Sequence, residues 1–452
     1  MSISVGIISL GCPKNLVDSE IMTGHLLKAG MTITQSPEEA DVMIVNTCAF
    51  IDQAKQEAID SILDIVRAKE NGQYPAEQKL IVSGCLSQRF NSELPSLLPE
   101  VDAFIGPDQV CQIVDVINDV FAATLPDKNC IVGKCQYIHN WETPRYRLTQ
   151  AHTAYIKIAE GCNHGCAYCI IPMIRGRHRS RSQADIIREA ENLIRDGVKE
   201  INLIAQDTTY FGMDKWTDAR PNRTSQVDSS RGESLASLIR ALNDIEGDFW
   251  IRLLYTHPAH WGNELTQAIA ECPKVARYVD IPLQHISDNM LSAMNRVTDG
   301  NYIRDLIRNI RKAVPNIAIR TTFITGVPGE TEDDHQELME FLDEFRFERA
   351  GIFTYSREEG TKAYKMPNQV HHRTKARRYN EASMTLARVA DEIGQAQIGK
   401  QLRVLVDAPG IARTEWDAPE IDGTVKVPLS LPVGEFATVT ITDAMAYELI
   451  GE

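Results

Sequence analysis

The chain has 452 residues, about three times the usual length of one domain, so we expect two to four domains. Hydrophobic residues (43%) and charged residues (24%) occur in the proportions of a globular protein, and no apolar run resembles a membrane span or a secretory signal, which favours a cytoplasmic location. The net charge of −15 argues against a large sequence-independent grip on nucleic acid, and the ten cysteines favour metal binding over disulfides.

Alternating strands and helices are predicted from the N-terminus to about residue 125. Short apolar, β-rich runs are separated by longer helical stretches, a pattern typical of a parallel sheet covered by helices on both faces. We therefore predict an α/β domain over residues 1–125, followed by a connector at 126–150. The predicted strands are 4–10, 40–46 and 79–84, and the predicted helices are 19–29 and 51–69.

The same alternation resumes in the central part of the chain, over residues 151–380. Six strand-like runs, most of them separated by amphipathic helical segments, favour a full or partial barrel of the TIM type over an open sheet. The polar segment 214–233 is predicted to be a surface loop. The predicted strands are 153–159, 200–206, 250–255, 278–284, 317–326 and 350–356.

After a last predicted helix at 377–394, the C-terminal segment changes character. Residues 400–452 contain short β-type runs that are punctuated by Gly and Pro. This pattern predicts a small antiparallel β-barrel of OB-like type, and we assign residues 386–452 to it.

The sharpest chemical signal is the loop that follows the first predicted strand of the central domain. It reads EGCNHGCAYCIIP and places Cys162, Cys166 and Cys169 at positions i, i+4 and i+7. A structural zinc site needs four ligands, whereas three soft thiolates can hold three irons of a 4Fe–4S cluster and leave the fourth iron open. The loop therefore predicts a cluster with an open iron at the mouth of the barrel, where a chelating substrate can bind.

Three further cysteines recur at the ends of the N-terminal strands. Cys12, Cys48 and Cys85 each follow a predicted strand, and their separations of 36 and 37 residues correspond to one βα unit each. Because equivalent turns of a parallel sheet lie at one edge, the three thiols can converge and hold a second 4Fe–4S cluster. Buried structural cysteines are the alternative. The cysteines without such a placement are Cys111, Cys130, Cys135 and Cys272.

Polar residues at the barrel mouth are candidate ligand contacts. Gln206 and Asp207 end the second central strand, Gln284 ends the fourth, and Arg320 lies within the fifth. An arginine can fork onto a carboxylate, whereas barrel packing and helix capping are the alternative roles. Tyr168 would lie beside the cluster, and no catalytic residue is assigned.

The run from Arg175 to Arg181 is locally basic. It has three interpretations: a contact to RNA, a contact to an acidic substrate, or a solvated approach to a helix. The last is the usual meaning of a short run of charge.

The loop around Cys162 resembles the cluster loop of the radical S-adenosylmethionine superfamily. The resemblance implies that the open iron binds the amino and carboxylate groups of S-adenosylmethionine. One-electron reduction then splits the sulfonium to a 5′-deoxyadenosyl radical. The candidate contacts to S-adenosylmethionine are Tyr168, Gln206, Gln284 and Arg320.

Nearly the whole chain resembles the methylthiotransferase family, which joins a three-cysteine domain, a radical S-adenosylmethionine barrel and a C-terminal TRAM barrel. The strings SLGCPKNLVDSE, VNTCAFI, YVDIPLQHIS and FTYSREEGT resemble the branch that modifies ribosomal protein twelve of the small subunit. The resemblance implies insertion of a methylthio group at the β-carbon of an aspartate of that protein. It also implies two 4Fe–4S clusters, S-adenosylmethionine as both radical source and methyl donor, a reductant such as flavodoxin or ferredoxin, and a sulfur donor.

An adenosine in transfer RNA is the alternative substrate, since that branch of the family shares every cluster ligand. Residues 401–452 contain three Lys or Arg and nine Asp or Glu, a balance that suits a basic protein partner better than phosphates. RNA contact is therefore not favoured. An electron-transfer protein would need fully ligated clusters, and an RNA-binding module would need a basic barrel.

Overall fold

The structure is a computed structural model that describes residues 2–125 and 129–452, so residues 126–128 of the predicted connector lie outside the described part. The chain forms two compact units. The first comprises Met1–Leu148, Glu160–Asn163 and Cys169–Arg179, and the second comprises Thr149–Ala159, His164–Tyr168 and Ser180–Glu452.

The first unit contains a six-stranded sheet with the order β2–β1–β3–β4–β5–β6, in which all neighbours are parallel, as predicted. Its strands are β1 (Ser4–Ser9), β2 (Thr32–Ile33), β3 (Val42–Thr47), β4 (Lys79–Gly84), β5 (Ala103–Ile105) and β6 (Cys130–Ile131). Its helices are α1 (Pro13–Lys28), α2 (Asp52–Glu70), α3 (Cys85–Arg89), α4 (Leu94–Leu97), α5 (Ile113–Ala122) and α6 (Ile171–Arg175).

Continuous burial explains this sheet. Every residue of β3 is buried, and Val45 belongs to the same apolar cluster as Ile62 of α2 and Leu80 of β4. Pro13 opens α1, where its fixed φ suits the first helical turn and its missing N–H leaves no bond unmade. The predicted connector is not wholly irregular, because β6 adds an edge strand beside β5.

The second unit contains a parallel sheet with the order β7–β10–β11–β12–β13–β14. The two end strands do not pair with each other, so the TIM-like barrel is partial. The strands in this part of the chain are β7 (Thr153–Lys157), β8 (Ala159–Glu160), β9 (Arg179–Ser180), β10 (Glu200–Ile204), β11 (Trp250–Leu253), β12 (Val275–Asp280), β13 (Ala318–Thr325) and β14 (Arg349–Thr354).

Amphipathic helices cover this sheet. In α11, for example, Ile303, Ile307 and Ile310 recur at helical spacing and are buried in the main core of the unit. The helices are α7 (Gln183–Arg195), α8 (Leu235–Asn243), α9 (Asn263–Glu271), α10 (Asp288–Ala293), α11 (Gly300–Ala313), α12 (Glu332–Phe345) and α13 (His372–Gln395). In the described part of the chain, no helix combines the length and the apolar character that crossing a bilayer requires.

The C-terminal segment closes into a five-stranded barrel with the order β15–β16–β17–β19–β18. Its strands are β15 (Gln401–Ala408), β16 (Ile411–Thr414), β17 (Thr424–Lys426), β18 (Phe436–Met445) and β19 (Glu448–Gly451). All pairs are antiparallel except β17 with β19, which run parallel.

Buried ion pairs join this small barrel to the amino ends of the central strands. Arg413 donates to Glu200 (2.6 Å), the first residue of β10, which also accepts from Arg252 (2.7 Å). Arg349, the first residue of β14, donates to Asp417 (2.9 Å). Several acids of the small barrel are therefore internal to the unit and do not contribute to an acidic surface.

Candidate iron–sulfur centres

Cys12, Cys48 and Cys85 stand at the carboxyl ends of three neighbouring strands. Cys12 caps α1 shortly after β1, Cys48 directly follows β3, and Cys85 directly follows β4. Because Thr47 and Gly84 are paired in register, Cys48 and Cys85 leave the sheet side by side. The structure thus brings the three predicted ligands together at one edge of the first unit.

The acidities of these thiols reflect their burial and their closeness. The pKa of the Cys48 thiol is raised to about 12, first by burial and then by the neighbouring Cys85 and Cys12. Burial also raises the pKa of Cys85, an effect that Arg175 opposes and Cys12 reinforces. Such thiols stay protonated at neutral pH until a metal displaces the proton. Three free thiols at one place match the donor set of a 4Fe–4S cluster with one open iron.

Gly11 allows the backbone to pass very close to this cysteine edge. Its φ of +92° lies in the left-handed region, and a Cβ at this position would lie 2.7 Å from Cβ of Cys48. Any larger residue would push Cys48 away from Cys12, so the glycine is needed for the convergence of the thiols.

A buried arginine from α6 lies against the same cysteines within the first unit. Nη2 of Arg175 donates to Oδ1 of Asn15 (2.6 Å) and contacts Sγ of Cys85 (3.5 Å). Its Nη1 donates to Asp18 (2.8 Å) and Glu160 (3.2 Å). The side chain is only 4% exposed.

The basic run is therefore not a uniform exposed patch. Arg175 has buried partners, and Arg181 is buried as well: its guanidinium donates to Asp185 (2.7 Å) and to the carbonyl of Lys157 (3.0 Å). Of the arginines of the run, Arg177 is exposed. The solvated approach and a broad RNA contact are both wrong for Arg175 and Arg181, because both side chains are buried and paired with acidic residues.

The second cysteine loop begins with a tight turn. Gly161 has a φ of +81°, and a Cβ there would come within 2.2 Å of the carbonyl oxygen of Arg177. The N–H of Cys162 donates to the carbonyl of Gly176 (3.1 Å), which fixes the first cysteine. Cys162 and Cys169 belong to the first unit and Cys166 to the second, and all three are partly buried.

Backbone and side-chain bonds hold the middle of this loop in the second unit. Nδ2 of Asn295 donates to the carbonyl of Gly165 (2.5 Å), and the N–H of Ala167 donates to the carbonyl of Met294 (2.8 Å). Nη1 of Arg296 lies 3.7 Å from Sγ of Cys166. A cation beside this thiol suits a ligand that must act as a thiolate.

Buried histidines surround Asp207 at the carboxyl end of β10. Nε2 of His164 donates to Asp207 (2.8 Å), and its ring stacks on His257 at a centroid distance of 3.6 Å. His260 lies next to both, with Nε2 4.0 Å from Asp207. The pKa of Asp207 lies below its ordinary range because hydrogen bonds and nearby histidine charge outweigh its burial. Burial lowers the pKa of His257 and, less strongly, that of His260, where Asp207 opposes the effect.

This network was only partly visible in the sequence. Asp207 was predicted at the barrel mouth. His164 lies between Cys162 and Cys166, and no sequence pattern indicated that its side chain would contact Asp207. The HxxH spacing of His257 and His260 was the available hint.

Three of the four candidate contacts to S-adenosylmethionine lie near the carboxyl ends of the central strands. Tyr168 packs beside an apolar cluster that includes Ala167, and Gln206 follows β10. Gln284 has a φ of +74°, and its carbonyl accepts from Ile324 (2.8 Å), so its position is set by the backbone.

Arg320 is the exception among the four. Its guanidinium donates to Asp280 (2.9 Å) and to Asp422 (3.2 Å), a residue of the small barrel. These carboxylates hold the pKa of Arg320 well above the ordinary value. Arg320 therefore joins the strands to the small barrel, and its role as a contact to S-adenosylmethionine stays a prediction.

Two further cysteines have local partners. Sγ of Cys111 donates to the hydroxyl of Tyr137 (2.8 Å), and Sγ of Cys135 donates to the carbonyl of Ile174 (3.1 Å). Cys272 is buried in the main core of the second unit. These contacts agree with structural roles.

Three family models match successive parts of the chain. Residues 4–106 match the Uncharacterized protein family UPF0004, residues 156–342 match the Radical SAM superfamily, and residues 398–452 match the TRAM domain.

Relatives and solved structures extend this similarity. A ribosomal protein uS12 methylthiotransferase RimO of Akkermansia muciniphila is 81% identical over 100% of both chains, and that of Opitutus terrae is 56% identical over 99% of this chain and 96% of its own. The radical S-adenosylmethionine methyltransferase TsrM of Kitasatospora setae shares the fold, with a TM-score of 0.54 at 12% identity over 78% of this chain and 73% of that one. The cobalamin-dependent enzyme OxsB has a TM-score of 0.52 at 11% identity over 85% of this chain and 56% of its own.

Proposed function

Since the chain belongs to the family of ribosomal protein uS12 methylthiotransferases (RimO), we propose that it adds a methylthio group to the β-carbon of an aspartate in small-subunit ribosomal protein twelve. Family membership over the full length supports the activity. The single structural observation that carries it is the convergence of Cys12, Cys48 and Cys85, because radical formation alone needs no second thiol set.

The two cysteine sets have separate tasks in this proposal. Cys162, Cys166 and Cys169 hold the cluster whose open iron binds S-adenosylmethionine, and Cys12, Cys48 and Cys85 hold the cluster at which sulfur is delivered. When bound, the cluster of Cys162, Cys166 and Cys169 supplies the electron that cleaves S-adenosylmethionine, which also serves as the methyl donor. Arg296 keeps a positive charge beside Cys166, and the buried network around Asp207 fixes the loop at His164.

Partners and location follow from the same activity. The substrate is a basic ribosomal protein, a flavodoxin or ferredoxin supplies electrons, and a separate donor supplies sulfur, all in the cytoplasm. Within the chain, we propose the boundaries 1–125 for the sulfur domain, 126–150 for the connector, 151–380 for the radical domain and 386–452 for the TRAM barrel. The three family matches fall inside these bounds.

The substrate is tested by mass spectrometry of cells that lack the protein. We expect ribosomal protein twelve to lose the mass of one methylthio group, while transfer RNA keeps its methylthio nucleosides. Loss from transfer RNA alone would contradict the proposal and identify the adenosine as the substrate. Complementation with the intact chain, but not with a Cys12→Ala variant, is the control.

A further inference from the structure

Arg175 belongs to the helix that follows the second cysteine loop, yet it lies against the first cysteine set. We propose that Arg175 is a positioning residue for the N-terminal cluster. Arg175 fixes Cys85 and Asn15 beside that cluster and places a permanent positive charge at the edge of the cluster. The inference rests on the proposed function only in that Cys12, Cys48 and Cys85 hold a cluster.

The guanidinium has four partners in the first unit. Nη2 reaches Asn15 at 2.6 Å and Cys85 at 3.5 Å, and Nη1 reaches Asp18 at 2.8 Å and Glu160 at 3.2 Å. Only a planar fork with several donors can serve so many acceptors at once. The thiol of Cys85 also points at Oδ1 of Asn15 (3.8 Å), so one donor nitrogen fixes both residues.

These partners belong to three segments that carry cluster ligands. Asn15 and Asp18 lie on the first turns of α1, just after Cys12, while Cys85 begins α3. Glu160 comes two residues before Cys162. One side chain therefore ties two ligand segments of the first cysteine set to the start of the second loop.

Burial makes the charge of Arg175 effective. The side chain is 4% exposed, so solvent screens it poorly, and an arginine does not lose its proton inside a protein. A cation and an N–H donor next to a cluster thiolate stabilise the reduced, more negative state. Asp18 and Glu160 hold the guanidinium in place and offset part of its charge, whereas Nη2 is the group that donates to Sγ of Cys85.

Arg145 provides a matched control in the same unit. Its side chain is 11% exposed and pairs with Glu20 on α1, with Nε donating at 2.8 Å, and its described contacts include no cysteine. R145Q therefore removes an ion-paired, largely buried arginine of the same unit whose described partner is not a cysteine.

The experiment uses the full chain with Cys162, Cys166 and Cys169 replaced by Ala, so that a reconstituted cluster reports the first site alone. R175Q, R175K and R145Q are compared in this background by iron content, Mössbauer spectroscopy and redox titration followed by EPR. For R175Q we expect the ratio of reduced to oxidised cluster at a fixed potential to fall about tenfold, equal to about 59 mV for a one-electron couple. R175K should keep most of the potential but change the spectra, and R145Q should match its parent.

Parent-like potential and spectra in R175Q, with iron loaded and circular dichroism unchanged, would overturn the inference. If R175Q does not fold, R175K carries the test: altered spectra support the inference and parental spectra overturn it. A background chain that binds no iron overturns it too. A clear shift of the reduction potential in R175Q, together with a parent chain that makes no methylthio product, would contradict the proposed function but support the role of Arg175.

Discussion

Gly11 meets two requirements at once: it adopts a backbone conformation that favours glycine, and it leaves room for Cys48 to lie near Cys12. The residue needs a positive φ, and its missing side chain leaves room for Cβ of Cys48, which a Cβ at Gly11 would approach within 2.7 Å. Gly30 has a similar φ of +81° but no atom within 4 Å of the same position. Comparing substitutions at the two glycines therefore distinguishes the free-energy cost of backbone strain from the cost of displacing Cys48, a proposed cluster ligand.

We expect Gly11→Ala to lower the stability by about 2–4 kcal/mol and to impair loading of the N-terminal cluster, because strain and a steric clash add. Gly30→Ala should cost about 1 kcal/mol and leave iron content unchanged. Chemical denaturation and iron analysis measure both effects. Equal iron content in the two variants would show that the approach of Gly11 to Cys48 has no role in cluster binding.

The two cysteine sets make a second prediction at the residue scale. The intact chain should bind about eight irons after anaerobic reconstitution, and replacing either set by Ala should leave about four. Loss of Cys162, Cys166 and Cys169 should abolish cleavage of S-adenosylmethionine. Loss of Cys12, Cys48 and Cys85 should spare cleavage and stop methylthiolation. Cleavage lost in a folded variant of the second kind would contradict this division of tasks.

Residue-scale prediction from sequence worked where chemistry and spacing coincide. The convergence of Cys12, Cys48 and Cys85 was predictable because each follows a strand, and parallel strands end at one edge of the sheet. Arg175 was not, because its partners Asp18 and Glu160 are distant or carry no motif. The pair of Arg320 with Asp422 was missed for the same reason, since the two residues lie 102 positions apart.

At the scale of elements, the long apolar runs were predicted well and the short ones were missed. The strand predicted at 278–284 runs from Val275 to Asp280 instead, and β2, β5 and β6 have only two or three residues each. Strands as short as these carry too little periodicity to be recognised. The continuous burial of β3 shows why the core strands were clear, since both faces select apolar residues.

The loop between β10 and α8 carries the third prediction. Asp207 accepts from His164 (2.8 Å) and from the N–H of Tyr210 (3.3 Å) in a buried setting. We expect Asp207→Asn to lower the free energy of unfolding by about 1–3 kcal/mol at neutral pH, because buried donors lose a charged acceptor. Cleavage of S-adenosylmethionine should fall as well, since His164 shares the loop with the cluster cysteines.

The direction in which pH changes the stabilisation by Asp207 follows from its lowered pKa. The folded-state pKa of Asp207 is lowered, so its stabilisation is complete above the unfolded value of about 4 and is lost as the pH falls below it. The stability gap between Asp207→Asn and the parent should therefore narrow under acid. Asp218→Asn, at an exposed pair with Arg231, is the control and should have little effect at any pH. A gap that stays constant down to pH 3 would contradict the assignment.

At the scale of the whole molecule, the composition of the C-terminal barrel suggests an acidic surface, but several of its acidic residues are internal. Asp407, Asp417 and Asp422 form internal ion pairs or hydrogen bonds, chiefly with arginines. Their count in the sequence therefore overstates the acidic surface that a basic substrate meets. Exposed acids remain at Glu420 and Asp443.

This division predicts opposite outcomes for two sets of substitutions in the barrel. Glu420→Gln with Asp443→Asn should leave the melting temperature unchanged but weaken binding of ribosomal protein twelve, and more strongly at low salt, because exposed charges act through screened attraction. Asp422→Asn should instead lower the stability, since Arg320 would keep only Asp280 as a charged partner in a buried site. Binding measured at two salt concentrations, together with thermal unfolding, separates the two effects. If the surface variant binds as tightly as the parent, the exposed acids serve solubility, and the substrate is held by the barrel mouth alone.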